Sequence, residues 1–375
     1  MQLLINGRFL SQRITGVQRF ALEVTKALDE LLSKDRHRGV FKDARLLIPK
    51  NVSAVPDLKN IAVDVVGKRT GHAWEQWDLP LAVGGDLLVS LCQIGSLAAK
   101  RQLVVMHDAS VYGVPFAFSR TFRLWYKILM PLLARRSHRV LTVSEFSKRE
   151  LMRYCGVKEE KLRVIPEGKE HVLQVPADPS LIERHGLRGQ RFVLAVSSVN
   201  PNKNFQAVVK AVDLLDGIDC KVVVAGGTDP RVFRGGQALP DRVIHLGYVS
   251  DAQLRALYES ATAFIYPSFY EGFGLPPLEA MALGCPVIVS RRASMPEVCG
   301  DAALYCDPER PDEIAASIRR LVADPGLRDA LAQAGKSRAD AYTWKRSALA
   351  LLNVAEEVAV ELGQKRAAVL SSVEE

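Results

Sequence analysis

The chain has 375 residues, of which 48% are hydrophobic and 25% are charged, and its formal net charge is +8. This length favours two domains, and the composition is typical of a globular enzyme, which excludes disordered and fibrous chains. No apolar run approaches the ~20 residues of a membrane span, and the amino terminus MQLLINGRFL lacks a secretory pattern, so we expect a cytoplasmic protein.

Positive charge is concentrated in the first half. Residues 1–188 carry thirty Lys and Arg against nineteen Asp and Glu, whereas residues 189–375 carry twenty against twenty-three. Part of the excess lies in FSRTFRLWYKILMPLLARRSHR (118–139). Two interpretations stay open for this stretch: a helix that lies on an anionic membrane or guides an acidic acceptor, and a core helix with solvated basic residues. No nucleic-acid-binding module accompanies the charge, so we expect no nucleic-acid partner.

Short apolar runs alternate with helical patterns along the chain. The first series is LLIN (3–6), ARLLIP (44–49), IAVDVV (61–66), DLLVS (86–90), QLVVM (102–106), RVLTV (139–143) and LRVIP (162–166). The second is RFVLAV (191–196), KVVVAGG (221–227), RVIHLG (242–247), TAFIYP (262–267), PVIVS (286–290) and AALYC (302–306). Unalternated strands of this kind indicate parallel sheets that are buried on both faces.

This pattern predicts an α/β protein with two doubly wound, Rossmann-like domains that face each other across a deep cleft. We place the first domain at 1–175 and the second at 185–343. The segment 171–190, which is rich in prolines and charge and lacks a strong period, is interpreted as the connection. Ligands of such sheets bind at the carboxyl ends of the strands, so the loops that follow the strands are the candidate sites.

Three of these loops carry candidate residues. After the first strand, Gly16 precedes a helix predicted from Val17 to about Leu32 and provides a turn of close approach. After QLVVM, His107 and Asp108 stand at a strand end that faces the cleft, although a buried and satisfied histidine is the alternative. After RFVLAV, Lys203 in SSVNPNKNF either meets a diphosphate as a point charge or is a solvated surface lysine.

The stretch YPSFYEGFGLPPLEAMALGCPVIVS (266–290) carries the strongest signal. It predicts Glu271 in a loop, glycines that allow close approach or positive φ, and a helix from about Pro277 with Glu279 in its first turn. Two hydroxyl acceptors around an anion-binding helix end suit a nucleotide sugar. The alternative is a plain strand-to-helix connection in which Glu279 stabilises the helix dipole and Glu271 is solvated.

Taken together, the chain resembles the retaining glycosyltransferases of the family-4 type (glycosyl transferases group 1), which are nucleotide-sugar-dependent and have the GT-B fold. The resemblance covers nearly the whole chain. It rests on these motifs: EGFGLPPLE, TGVQRF, VVMHD, LTVSEFSKREL, VIPEG, NPNKN, HLGYVSDAQLRALYESA and YTWKRSAL. The two glutamates with seven residues between them are the most specific of them.

The resemblance implies roles for individual residues. Glu271 would contact the donor sugar, and Glu279 would bind the nucleotide ribose. Lys203 would neutralise the diphosphate. His107 would lie near the transferred sugar, with Asp108 beside it on the donor side.

The resemblance also assigns backbone contacts and the helix at the carboxyl end. The turn formed by Phe273, Gly274 and Leu275 would face the sugar and phosphates, and Gly16 would belong to the loop that closes on the diphosphate. The domain at 1–175 would receive the acceptor, and a helix at about 344–363 would pack back on it.

The segment before Lys203 departs from the family pattern. It lacks the arginine that many members carry, and Arg19 is a candidate substitute from its position alone. The resemblance implies metal-independent catalysis without a cofactor, in which helix dipoles and basic side chains stabilise the leaving group. Six scattered cysteines form no CxxC pair, so we predict neither a zinc site nor a disulfide.

By analogy, the expected reaction moves mannose from GDP-mannose to a glycan or to an acceptor linked to polyprenyl diphosphate, in bacterial surface polysaccharide such as lipopolysaccharide. The protein would then act at the cytoplasmic face of the inner membrane. Three alternatives stay open: a nucleotide-sugar 2-epimerase, a phosphate-dependent glycoside phosphorylase, and a non-catalytic protein that binds sugar nucleotides.

Overall fold

The computed structural model describes residues 1–33, 40–196, 200–227 and 242–374. The chain divides into two compact units, each of which contains one parallel sheet. The first unit comprises Met1–Tyr112, Arg120–Gly168 and Trp344–Glu375. The second comprises Gly113–Ser119 and Lys169–Thr343. The prediction of two Rossmann-like α/β domains is therefore confirmed.

The first unit is built on a seven-stranded parallel sheet with the order β3-β2-β1-β4-β5-β6-β7. Each strand pairs in parallel with its neighbours, and all seven sequence-predicted strands are present. The strands are β1 (Leu3–Asn6), β2 (Ala44–Ile48), β3 (Ile61–Val65), β4 (Leu87–Ser90), β5 (Gln102–Val105), β6 (Arg139–Thr142) and β7 (Leu162–Val164).

Helices cover the first sheet, and the helix at the carboxyl end of the chain is one of them. They are α1 (Gly16–Leu32), α2 (Gly71–Ala73), α3 (Leu79–Val83), α4 (Ser110–Gly113), α5 (Arg120–Arg136), α6 (Glu145–Cys155) and α15 (Trp344–Glu374). A π-helical turn, Trp74–Asp78, joins α2 to α3. Helix α15 packs on α1, where the rings of Phe20 and Trp344 meet edge to face with centroids 5.9 Å apart.

The second unit contains a six-stranded parallel sheet with the order β10-β9-β8-β11-β12-β13. All six predicted strands are present, as β8 (Phe192–Val196), β9 (Lys221–Ala225), β10 (Val243–Gly247), β11 (Ala263–Tyr266), β12 (Val287–Ser290) and β13 (Ala303–Cys306). Its helices are α7 (Glu170–Gln174), α8 (Ser180–Arg184), α9 (Phe205–Asp213), α10 (Asp251–Ser260), α11 (Leu275–Ala282), α12 (Met295–Cys299), α13 (Pro311–Ala323) and α14 (Pro325–Ala339).

The apolar strand runs explain this layered core. Strands β4, β5, β11 and β12 are buried at every position, as expected when helices cover both faces of a sheet. Amphipathic helix α9 contributes Phe205, Val208 and Val212 to the core of the second unit. All six cysteines have free thiols.

Each sheet has one point at which the strand order reverses. In the first sheet this point lies between β1 and β4, and in the second it lies between β8 and β11. The loops after such a strand pair run to opposite faces of the sheet and leave a crevice at its carboxyl edge, where ligands of open α/β sheets bind. The strand order therefore indicates one candidate binding position in each unit.

Candidate active site

Lys203 and Glu271 meet at the reversal point of the second sheet. Lys203 ends a short 3-10 turn, Pro201–Lys203, that follows β8. Glu271 lies in the loop between β11 and α11, and its Oε1 is 2.7 Å from Lys203 Nζ. Because β8 and β11 are hydrogen-bonded neighbours, the two loops start side by side. The structure thus joins a cation suited to a diphosphate with a carboxylate suited to a sugar hydroxyl.

Tyr266, the last residue of β11, hydrogen-bonds to the lysine of this ion pair. Its hydroxyl accepts a hydrogen bond of 2.6 Å from Lys203 Nζ, and its ring centroid lies 5.0 Å from the same nitrogen. Burial alone would lower the pKa of Lys203, but the charge of Glu271 and the hydrogen bonds to Glu271 and Tyr266 raise it overall. Burial and the charge of Glu271 raise the pKa of Tyr266. The site therefore holds a charged lysine beside a neutral phenol.

The loop that carries Glu271 is braced from two sides. Ser294 Oγ, which is fully buried, lies 2.9 Å from the carbonyl oxygen of Glu271 and 2.7 Å from that of Phe273. Asn202 Nδ2, from the turn that carries Lys203, donates a 2.5 Å hydrogen bond to the Tyr270 carbonyl. These contacts fix the backbone on both sides of the glutamate, so its position is set before any ligand arrives.

Gly274 adopts φ 109°, a conformation that favours glycine, and it is the residue immediately before α11. A Cβ at this position would lie 2.2 Å from Met295 Cε. Helix α11 begins at Leu275, two residues earlier than predicted, and has prolines at its second and third positions. Since prolines lack an N–H, Gly274 and Leu275 provide the donors at this helix end, fewer than the sequence interpretation assumed.

The predicted position of Glu279 in the first turn of α11 is wrong. Because the helix begins at Leu275, Glu279 is its fifth residue and belongs to the second turn. Its side chain is buried, with Oε1 2.7 Å from His171 Nε2, and Oε2 accepts a 3.2 Å hydrogen bond from the Tyr258 hydroxyl. Burial and the charge of Glu279 raise the pKa of Tyr258 well above its usual value. Each carboxylate oxygen keeps a second lone pair, so a further hydroxyl donor fits the same carboxylate.

His107 lies in the first unit, directly after Met106 and β5, and is buried. Its Nε2 is 2.9 Å from the carbonyl oxygen of Leu91, and its ring packs edge to face on Phe20 with centroids 4.8 Å apart. A carbonyl only accepts, so Nε2 carries a proton and Nδ1 is left to face Glu167 Oε1 at 3.8 Å. This arrangement fixes the ring and its protonated nitrogen.

A glutamine that the sequence interpretation missed holds the His107 loop. Gln93 has φ 60°, a strained value for a residue with a side chain. Its Oε1 accepts from the His107 N–H at 2.8 Å, and its Nε2 donates to the Asp108 carbonyl at 2.8 Å. Asp108 Oδ1 in turn accepts from the Ser110 N–H at 2.8 Å. Gln93, in the loop after β4, therefore holds the backbone of the loop after β5 through two hydrogen bonds.

Two further predicted residues lie in α1. This helix confirms the prediction from Val17 to Leu32, with Gly16 as its exposed first residue. No described atom lies within 4 Å of a Cβ built on Gly16. Arg19 Nη1 is 3.7 Å from Glu23 Oε1 in the same helix. The departing segment Ser197, Ser198 and Val199 lies outside the described residues.

Within the described ranges, no group of three or more His, Cys, Asp or Glu side chains is arranged to hold a metal ion. At the reversal point of the second sheet the structure shows an ion pair of one lysine and one glutamate.

Sequence signals for the missed residues differ in strength. Tyr266 was visible as an aromatic residue at the end of a predicted strand. His171 belongs to the stretch interpreted as the connection, and the sequence offered no reason to pair it with Glu279. Ser294 and Gln93 act through backbone contacts that depend on the folded loops, so no spacing rule indicated them.

Comparison with known proteins gives two family matches and two similar mannosyltransferases. Residues 179–338 match the family model for glycosyl transferases group 1, and residues 87–170 match the model for Glycosyltransferase Family 4. The chain is 28% identical to O-antigen chain mannosyltransferase B of Escherichia coli over 68% of this chain and 70% of that protein. It is 29% identical to O-antigen chain mannosyltransferase RfbU of Salmonella typhimurium over 85% of this chain and 90% of the relative.

Solved structures with the same fold cover nearly the whole chain. Sucrose-phosphate synthase from Thermosynechococcus elongatus superposes with a TM-score of 0.70 at 18% identity, covering 99% of both chains. WaaG, a glycosyltransferase involved in lipopolysaccharide biosynthesis, superposes with a TM-score of 0.69 at 15% identity, covering 94% of this chain and 99% of that one. At these identities the likeness shows the GT-B fold.

The two parallel-sheet domains have the GT-B fold. The glycosyl transferases group 1 match and the similarity to O-antigen mannosyltransferases show that the protein is a glycosyltransferase. Residues 179–338 of the chain are a glycosyl transferases group 1 domain, and residues 87–170 match Glycosyltransferase Family 4.

Proposed function

We propose that this glycosyltransferase is a retaining mannosyltransferase that uses GDP-mannose and extends a glycan or lipid-linked acceptor in bacterial surface polysaccharide synthesis. The observation that carries the proposal is the Lys203–Glu271 pair at the reversal point of the second sheet. The choice of mannose is supported by the names of the O-antigen mannosyltransferases to which the chain is similar.

The second unit would bind the donor. Lys203 would leave Glu271 in part and meet the diphosphate, which frees the carboxylate for a sugar hydroxyl. Glu279, held by His171 and Tyr258, would accept from the ribose. The backbone of Phe273, Gly274 and Leu275 would face the sugar and phosphates.

The first unit would supply the remaining groups. His107 would stand near the transferred sugar with Asp108 beside it, and Gly16 would approach the diphosphate through an open helix start. The role of Arg19 as a second cation stays a prediction. The same unit would receive the acceptor.

Retention in this proposal follows a front-face displacement. The bond between the anomeric carbon and the diphosphate oxygen breaks, and the acceptor oxygen bonds to the same face of that carbon. The proton of the acceptor hydroxyl passes to the departing diphosphate oxygen, so no separate base is required. Lys203 stabilises the negative charge that develops on the leaving group, as preorganised charges do in other active sites.

Donor consumption tests the proposal and separates it from the alternatives. Purified enzyme is incubated with GDP-mannose and EDTA, with and without a lipid-linked oligosaccharide fraction from bacterial membranes, and released GDP is measured. We expect GDP release that depends on the acceptor and a product whose anomeric NMR signals show the donor's α configuration. Donor conversion without acceptor would favour a 2-epimerase, and phosphate-dependent cleavage of a glycoside would favour a phosphorylase. Binding without any turnover would favour the non-catalytic protein.

Helix α5 supports a peripheral membrane contact. Four of its apolar side chains are exposed on one side: Leu124 (64%), Trp125 (49%), Ile128 (53%) and Leu132 (42%). Exposed Arg135 and Arg136 follow in its last turn. Exposed apolar side chains beside basic ones suit the surface of an anionic bilayer at the cytoplasmic face. No helix in the described part of the chain is long and apolar enough to cross a bilayer.

Vesicle flotation tests this contact. We expect binding to vesicles of phosphatidylglycerol and phosphatidylcholine, and Leu124→Asp lowers the partition coefficient about tenfold because a charge replaces an inserted apolar group. The matched control is Leu81→Asp, which alters a leucine that is 83% exposed elsewhere in the same unit. Equal losses in the two variants, or no binding by the unaltered protein, would contradict the contact.

A further inference from the structure

A buried ion pair lies at the reversal point of the first sheet. Arg8 belongs to a short 3-10 helix, Gly7–Ser11, that directly follows β1, and it is 6% exposed. Its partner Glu75 is 1% exposed and lies in the π-helical turn Trp74–Asp78. Such turns occur frequently at functional sites. Arg8 follows β1 at the reversal point of the first sheet, as Lys203 follows β8 at that of the second.

The hydrogen bonding of this pair is incomplete. Arg8 Nε lies 3.2 Å from Glu75 Oε1 without hydrogen-bond alignment, and Asn6 Nδ2 donates to the same oxygen at 2.7 Å. Glu75 Oε2 is buried and has no hydrogen-bond partner among the described residues; His72 Nδ1 lies 3.5 Å from it. Arg8 Nε is likewise buried without a hydrogen-bond partner in the described ranges. An unused donor and an unused acceptor thus lie in one place.

A gain in folding stability does not explain why this ion pair is buried. A buried ion pair gains little over apolar residues of the same volume unless its remaining hydrogen bonds are satisfied. Here Arg8 Nε and a carboxylate oxygen of Glu75 remain unsatisfied at the edge of the sheet where ligands bind. A buried polar group without a partner costs free energy that a ligand recovers when it supplies the missing hydrogen bond.

Aromatic side chains accompany the pair. Tyr126 in α5 stacks on Phe122 with ring centroids 4.2 Å apart. Burial raises the pKa of Tyr126, and Arg8, Glu75 and Asp108 are among the charged groups that act on its hydroxyl. The phenol therefore stays neutral within electrostatic range of the ion pair. Aromatic rings with a few fixed polar groups are the usual lining of a small-molecule site.

We propose that Arg8 and Glu75 bind a neutral hexose ring of the acceptor, with Arg8 donating to ring hydroxyl oxygens and Glu75 Oε2 accepting a hydroxyl proton. This inference rests on the proposed function, because it takes the acceptor to be a glycan. Glu75 compensates the charge of Arg8, and the carboxylate of Asp108 acts on the same phenol, so the cluster disfavours an anion. His72, whose side chain is half exposed, moves aside when a hydroxyl reaches Oε2.

Sugar binding without any nucleotide tests the inference. Saturation-transfer NMR measures the binding of methyl α-D-mannopyranoside, methyl α-D-galactopyranoside and methyl α-D-glucopyranoside, and phosphorus line broadening measures inorganic pyrophosphate. We expect at least one glycoside to bind, and Arg8→Lys weakens that binding about tenfold because the fork of donors is lost. Arg45→Lys is the matched control, since Arg45 pairs with Asp43 and Asp64 at the edge of the same sheet.

Three results would overturn the inference: the unaltered protein binds no glycoside, Arg8→Lys and Arg45→Lys weaken glycoside binding equally, or Arg8→Lys weakens the binding of pyrophosphate alone. Lys203→Ala should leave the Arg8-dependent signal unchanged, which excludes the donor position as its source. If Arg8→Lys lowers Tm strongly, Tyr126→Phe is the test variant instead. This variant removes one hydroxyl, and we expect it to weaken glycoside binding about threefold. Arg8-dependent sugar binding by a protein that does not consume GDP-mannose would refute the proposed function alone.

Discussion

The reversal points of the two sheets are alike in topology and different in chemistry. Each places a basic residue on the loop after the sheet's first strand in the chain, and each pairs it with a glutamate. In the second sheet, the Lys203 ammonium hydrogen-bonds to both Glu271 and Tyr266. In the first sheet, Arg8 Nε and one oxygen of Glu75 have no hydrogen-bond partner among the described residues. On our proposals, topology sets where a ligand binds, and the side chains favour an anion at the second reversal point and a neutral ring at the first.

The largest effect is expected from Glu271→Gln, which tests the second reversal point as the reaction centre. The variant loses the charge that pairs with Lys203 and that would contact the sugar on our proposal, so we expect kcat to fall ~100-fold or more, a change of a few kcal/mol in the barrier. The measurement is GDP release from GDP-mannose with acceptor present. Glu259→Gln, at an exposed glutamate paired with Arg255 in α10, is the matched control. A Glu271→Gln enzyme within threefold of the unaltered enzyme would refute the assignment.

Lys203→Ala sharpens the comparison by removing the cation. We expect the Kd for GDP to rise about 10- to 100-fold, because a charge-assisted contact to the diphosphate is lost, while selectivity between nucleotide sugars changes little. Calorimetric titration with GDP measures the effect. The control is Lys210→Ala, at an exposed lysine on the neighbouring helix α9. An unchanged Kd would show that Lys203 does not meet the diphosphate.

Gly274→Ala is the smallest of the three changes and tests whether the turn before α11 is as constrained as its geometry indicates. A Cβ at φ 109° is strained and would meet Met295 Cε, so we expect the free energy of unfolding to fall by about 1–3 kcal/mol. Urea denaturation measures it. Gly363→Ala, where no described atom lies within 4 Å of the new Cβ, should instead leave stability equal or slightly higher. A Gly274→Ala protein as stable as the unaltered one would contradict the strain.

Strand positions were predictable because parallel strands buried on both faces appear as short apolar runs. Helix bounds were less predictable, because the sequence Leu275-Pro276-Pro277 allows the helix to begin at either the leucine or the last proline. The earlier start moves Glu279 into the second turn, beside His171 and Tyr258.

Side-chain pairs far apart in sequence were not predictable. Glu271 and Lys203 were each found from the loop that carries them, but their direct contact depends on the pairing of β8 with β11. Likewise, Arg8 and Glu75 lie 67 positions apart, and no local pattern joins a residue after β1 to a π-helical turn. Such pairs are specified by strand order, which a single sequence does not state.

The most direct test is a thermal-shift panel with GDP, UDP, ADP and dTDP, each in EDTA and in magnesium. If the second reversal point is a site for GDP-mannose, GDP alone raises Tm, and does so equally in EDTA, because ligand at a hundred times its Kd stabilises the native state by ~2.7 kcal/mol. The same shift should disappear in Lys203→Ala. No shift with any nucleotide, or a shift that needs magnesium, would contradict a donor site built on Lys203 and Glu271.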